Sequence, residues 1–215
     1  MLLAAVLCLL LIGGCMTPAR RNDDAASLSA QREEPARSAL VEVDGEAGFT
    51  VTEVVRINGD VRVDYTEALN LLARGDSIRG IALLVEVTDK APLATAPFVD
   101  LGIAYSRAGV FEKAQLSFSH ALASTPDHPV VHNELGIVYR KLGRFAAARK
   151  SYERALAVYP GFHYARRNLA VLCDLYLADK ACALEHYEIY RQAVSTDRDV
   201  DIWINDLRNR IPTTE

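Results

Sequence analysis

Five histidines are the first candidates for chemistry: His120, His128, His132, His163 and His186. Only His128 and His132 stand four apart, the spacing that puts two imidazoles on one helix face. Pro126 and Pro129 flank His128 and place a turn beneath it, so a structural or exposed role is expected there rather than a metal site. The chain holds no H-E-x-x-H, no C-x-x-C, no phosphate loop and no G-x-S-x-G. No two acids are marked out as an acid–base pair. No catalytic residue, no metal ligand and no cofactor is therefore expected, and the chain does not read as an enzyme. The remaining reactive groups are four cysteines, Cys8, Cys15, Cys173 and Cys182. A run of cations joins them: Arg140, Lys141, Arg144, Arg149, Lys150 and Arg154, followed by Arg166 and Arg167. Such a run serves docking, or is a solvated face of two helices.

The elements that carry these residues repeat. Pro92, Pro126 and Pro160 lie 34 residues apart, as do Gly75, Gly109 and Gly143. Leu71, Tyr105, Tyr139 and Cys173 keep that interval, and so do Ala68, Gly102, Gly136 and Ala170. In the unit from Thr95, Leu101, Gly102 and Tyr105 form one stripe of a first helix. Gly109 turns the chain with a positive φ. Phe111, Ala114, Phe118 and Ala121 form the inner stripe of a second helix, and Pro126 ends the unit. The unit from Pro129 repeats the pattern with Leu135, Gly136, Tyr139, Gly143, Phe145, Ala148, Tyr152, Ala155 and Pro160.

These columns resemble the tetratricopeptide repeat, a helix–turn–helix unit of that period. The resemblance implies an all-α helical solenoid of about four antiparallel helix pairs with a C-terminal capping helix. The units run 61–94, 95–128, 129–162 and 163–196, and 197–215 holds the cap and tail. The first and last units are degenerate. Glu67 and Gly80 replace the Leu and Ala of the others in the first. In the last, the second helix fits only with one extra residue in the turn before Ala183. Val200, Trp203, Ile204, Leu207 and Ile211 mark the buried stripe of the cap.

Residues 39–60 precede the repeats. Phe49, Val51, Val55 and Ile57 are strand-like and Asn58-Gly59 is a turn signal. A strand there would have no sheet to join, so an extended segment or irregular helix against the first repeat is expected. Residues 15–38 carry Pro18, Pro35 and mixed charge with too few apolar residues for a core, which reads as a flexible tether.

Residues 2–14 are uncharged, with an apolar run from Leu2 to Ile12, too short to span a bilayer as an anchor and suited to a secretory signal. The run ends Leu11-Ile12-Gly13-Gly14-Cys15, which resembles the bacterial lipoprotein signal, although no Lys or Arg precedes it. The resemblance implies removal of residues 1–14, lipidation of Cys15, and a place on the periplasmic side of the cell envelope, the outer membrane being favoured by Met16. Anchorage to membrane through lipid follows. An ordinary signal peptide or a retained anchor is the alternative.

Cys173 falls in the Tyr105/Tyr139 column and Cys182 begins the return helix. In an antiparallel pair these sites face each other, so either a disulfide or two buried thiols would fit. The net charge of −4 over 215 residues and the export signal make nucleic acid an improbable partner, and no small-molecule substrate is expected.

By resemblance, the first helices of the repeats line a partner-binding groove. Its wall is expected to hold Val99, Ile103, Ser106 and Arg107, then Val130, Asn133, Ile137, Arg140 and Lys141, then Tyr164, Arg167, Val171 and Asp174. Arg140 and Arg167 are expected to be exposed. Aliphatic seats beside cations suit an amphipathic acidic peptide or helix. The Lys/Asn/Arg pattern with which some relatives hold a C-terminal carboxylate is missing, since Tyr65, Leu69 and Asp100 stand at its first sites. The expected function is an adaptor that assembles envelope proteins, in pilus, secretion or motility machines, cell-wall enzyme recruitment or energy transduction. An envelope enzyme or ligand-binding lipoprotein is the other class.

Overall fold

The computed structural model describes residues 39–44 and 48–211. The signal, the tether and the lipidation site at Cys15 lie outside the described residues. Among those described are nine helices and one two-stranded antiparallel sheet.

The helices are α1 (Gly59–Ala73), α2 (Ser77–Lys90), α3 (Thr95–Arg107), α4 (Phe111–Ser124), α5 (Pro129–Lys141), α6 (Phe145–Val158), α7 (His163–Leu175), α8 (Lys180–Ala193) and α9 (Arg198–Arg210). Each packs chiefly on its neighbours in sequence, and first helices also meet, α3 with α5 and α5 with α7. That contact pattern is a helical solenoid. None of these helices is long and apolar enough to cross a membrane.

The repeated columns have one packing reason each. A Cβ on Gly136 would lie 2.5 Å from Cδ1 of Tyr152, and one on Gly102 would lie 2.6 Å from Cδ1 of Phe118. Only a bare backbone lets these fully buried rings sit against the first helix. Ala114, Ala121, Ala148 and Ala155 are fully buried where the paired helices nest. Gly75, Gly109 and Gly143 turn each pair at φ of 83°, 75° and 71°. In the last pair the turn is one residue longer, and Ala178 takes the left-handed conformation at φ 53° without glycine's freedom. Cys173 and Cys182 are joined there as a disulfide, S–S 2.13 Å and Cα–Cα 5.9 Å. The cap helix α9 buries Val200, Ile204 and Leu207 against the last pair.

Residues 39–60 depart from the expected extended segment or irregular helix. They form a hairpin, β1 (Ala39–Asp44) and β2 (Gly48–Glu53), with Val41 opposite Val51 and Val43 opposite Phe49. The strands supply each other's backbone partners, which removes the objection that no sheet was available. One face of the hairpin lies on the solenoid: Ala39 is buried and Phe49 joins the main core cluster. Asn58-Gly59 is not the hairpin turn. Asn58 is the N-cap of α1, its Oδ1 accepting from the Asp60 amide at 3.1 Å.

Candidate functional site

Two cavities on the first-helix face bear on the expected groove. One, of about 290 Å³, lies between α1 and α3 and is lined by Leu69, Leu72, Asp100, Ile103 and Arg107. The Tyr65 hydroxyl donates to Asp100 Oδ2 at its edge. Burial raises the Asp100 carboxyl, opposed by that hydroxyl and by Arg107. Two of the residues at the carboxylate-holding sites, Tyr65 and Asp100, thus satisfy each other.

The second cavity, of about 660 Å³, lies between α5, α7 and the hairpin. Val130 and Ile137 form its floor from α5, spaced two turns apart on one stripe. Tyr164 of α7, Phe162 and Phe49 close it with aromatic surface. Polar groups converge on one side. Asn168 Nδ2 donates to Asn133 Oδ1 at 2.9 Å, and Asn133 Nδ2 donates to Glu134 Oε1 at 3.1 Å. Burial raises the Glu134 carboxyl, opposed by that amide and by Arg107. Apolar walls with a few directed polar groups suit a side chain of a bound segment.

The expected groove residues do not stay together. Ile103, Arg107, Asn133, Ile137 and Tyr164 line the two cavities. Val99 does not: it is 8% exposed and packed in the core, and with Val51 of the hairpin it lines a separate cavity of about 140 Å³. Arg140 and Arg167 are not the free exposed cations expected. Arg140 is half-buried, its guanidinium 5.6 Å from the Tyr176 ring centre with Nη1 donating to the hydroxyl at 3.3 Å. Arg167 lies 5.2 Å over the Trp203 ring and 3.6 Å from Asp197, which ties α7 to the cap. The cation–π contact explains both, since a planar guanidinium stacks on an aromatic face that the cap and the long last turn supply. Of the cations expected in the groove, Arg107 and Lys141 are exposed, at the C-terminal ends of α3 and α5. Their charge also suits the negative end of each helix dipole.

The wider basic run is largely paired. Arg149 meets Glu153 and Asp179, Arg154 meets Asp127, and Arg144 donates to Gln115. It reads as a solvated face. His128 is buried and held down to about 4 by desolvation and by His132. His132 Nε2 lies 2.8 Å from the Pro126 carbonyl. His132 braces the α4–α5 turn through that contact, and His128 is buried beside it. Among the described residues one group of possible metal ligands comes together, Cys173, Asp179 and Cys182, and its thiols are spent in the disulfide.

Residues 129–162 match the tetratricopeptide repeat family model. The fold is a tetratricopeptide-repeat solenoid. Solved structures agree. MamA from Desulfovibrio magneticus RS-1 superposes with a TM-score of 0.66 at 17% identity, over 72% of this chain and 87% of that one. Pseudomonas aeruginosa PilF gives 0.62 at 20% identity, over 70% and 68%. The first repeat domain of Spaghetti (RPAP3), bound to the HSP90 peptide SRMEEVD, gives 0.51 at 16% identity, over 54% and 91%. At these identities the likeness is one of fold. No curated protein sequence matches the chain significantly.

Sequence reasoning missed the hairpin's part in this solenoid. Glu53 reaches the N-terminus of α3, whose N-cap Ala94 has no capping side chain. Its carboxylate accepts from the Ala96 amide at 2.6 Å and the Thr95 amide at 3.4 Å. Burial nonetheless raises the Glu53 carboxyl overall. The signal available was Asp44-Gly45 between two alternating runs, a hairpin pattern.

Proposed function

We propose that this chain is a lipid-anchored adaptor of the bacterial envelope, binding a segment of a partner protein on its first-helix face. The observation that carries the reading is the α5–α7 cavity, apolar on its floor and edged by Asn133, Asn168 and Glu134. Arg107 and Lys141 stand exposed at the C-terminal ends of α3 and α5. Apolar seats supply affinity, and exposed cations orient and speed the docking of an acidic amphipathic segment. The acidic peptide held by the Spaghetti domain supports this use of the fold by analogy. Anchorage rests on the Ile12-Gly13-Gly14-Cys15 sequence, and an envelope complex such as a pilus, secretion or motility assembly is the setting it suits. The face is built for binding, and no step of catalysis is assigned to it.

Crosslinked capture from intact cells tests this reading. Ile137→Glu fills the apolar floor with charge, and Arg107→Glu with Lys141→Glu reverses the exposed edge. Both should lose the captured envelope proteins while helicity is kept. Equal yield from all forms sinks the binding face. Mass spectrometry of the mature N-terminus tests the anchor separately, and an unmodified Cys15 ends that part.

A further inference from the structure

The solenoid face is already occupied by the chain itself. Strand β2 crosses the N-terminal ends of three successive first helices. Phe49 lies edge-on to Tyr159 and Phe162 before α7, with ring centres 5.3 and 5.6 Å apart. Val51 lines a small cavity of about 140 Å³ together with Val99 of α3 and His128 at the start of α5. Glu53 caps α3 through the Thr95 and Ala96 amides. Residues 49, 51 and 53 share one face of the strand. Thr50 and Thr52 face outward and are exposed.

This is the manner in which a peptide is held in a groove: alternate side chains in seats, an aromatic anchor at one end and a carboxylate on a helix N-terminus at the other. The hold is local. A two-stranded hairpin is marginal alone, so its place depends on a few seats. Leu40 and Val43 on β1 are 47% and 42% exposed, so the strand behind β2 is only partly covered.

We propose that the groove recognises an extended segment with an aromatic residue and a carboxylate four residues later, and that the hairpin holds this place until such a segment displaces it. The proposal rests on the adaptor reading and names what its partner must carry. The cavity beside Phe49 gives the incoming aromatic its first foothold, since Val130, Ile137 and Tyr164 lie open next to the seat. The α3 N-terminus takes the carboxylate because the two amides there are met by a side chain from outside the helix.

A labelled synthetic peptide of residues 39–56 is the probe, read by fluorescence anisotropy against the full chain. A tethered segment competes at an effective concentration on the order of millimolar. Phe49→Ala with Glu53→Gln in the protein should therefore raise apparent affinity for the wild-type peptide tenfold or more. A peptide carrying the same two changes should bind neither protein. The single variant Phe49→Ala should move affinity in the same direction by less, and circular dichroism should show the repeats intact in both. Equal affinity of wild type and variants overturns the displacement. Helical variants that bind no peptide overturn the recognition. A wild-type dimer that dissociates in the double variant overturns it in favour of a second copy as occupant. These outcomes are independent of capture from cells, where the adaptor reading is tested by Ile137→Glu.

Discussion

Replacing Gly136 by alanine adds one methyl where the structure leaves no room for it. The new Cβ would lie 2.5 Å from Cδ1 of Tyr152, whereas carbon atoms in contact prefer about 3.5–4.0 Å. The ring must retreat by about 1 Å, and Tyr152 is fully buried with core on every side. Overpacking of this kind costs about 1–3 kcal/mol. Alanine is favoured over glycine inside a helix by about 1 kcal/mol, which offsets part of the clash. A contact this close calls for the upper half of that range, about 2–3 kcal/mol, so a net loss of about 1–2 kcal/mol is expected, and for a chain of this size each kcal/mol lowers Tm by about 2–4 °C. Thermal melts followed by far-UV circular dichroism read the effect. Tyr152→Leu supplies the control, because it removes the ring that clashes. On that background Gly136→Ala should be neutral or stabilising by up to about 1 kcal/mol, the helix-propensity gain alone. An unchanged or raised Tm for Gly136→Ala in the wild type would refute the argument, as would the same drop on both backgrounds.

Three further outcomes follow from the core and its turns. His128 is held neutral by burial with a pKa of about 4, below the 6.5 of an unfolded histidine, so the unfolded state binds more protons and stability falls as pH drops through that interval. The loss should reach about 2 kcal/mol at pH 5, and the pH dependence of Tm should be shallower by that amount in His128→Gln; equal slopes would remove His128 from the account. Reducing the Cys173–Cys182 bridge, which closes nine residues of separation, should cost roughly 2–3 kcal/mol by loop entropy, and two free thiols in unreduced, denatured protein would show that it does not form. Ala178→Gly should stabilise by roughly 0.5–1 kcal/mol, because φ 53° favours glycine; a lower Tm would mean that the alanine methyl makes a contact worth more than the strain.

The solenoid was legible because each repeated column answers a local demand. Gly136 stands where a ring must approach, Gly143 where φ turns positive, and Ala148 where two helices nest. The extra residue in the last turn showed in the drift of the columns after Cys173. What depends on contact across many residues left no such trace. Nothing near Ala94 announces that Glu53, more than forty positions earlier, will meet the α3 amides. Arg167 sits in a groove column, yet Trp203 of the cap draws it aside. Arg140 is drawn in the same way to Tyr176, a residue of the irregular last turn. Periodicity says which face of its helix a side chain occupies; which neighbour claims it is decided by elements outside the repeat.

A stack of helix pairs in which each touches only the next can open from either end, one pair at a time. Strand β2 breaks that independence. By seating Glu53 on α3 and Phe49 before α7, it makes the second, third and fourth pairs answer to one another. Loss of order in any of them loosens a seat that the others help to hold. The middle of this chain should therefore melt as one cooperative block, with α1 and α2 the pair left freest to fray. Releasing the strand would turn that block back into a row of separately weighted units, and a sharp transition into a broad one.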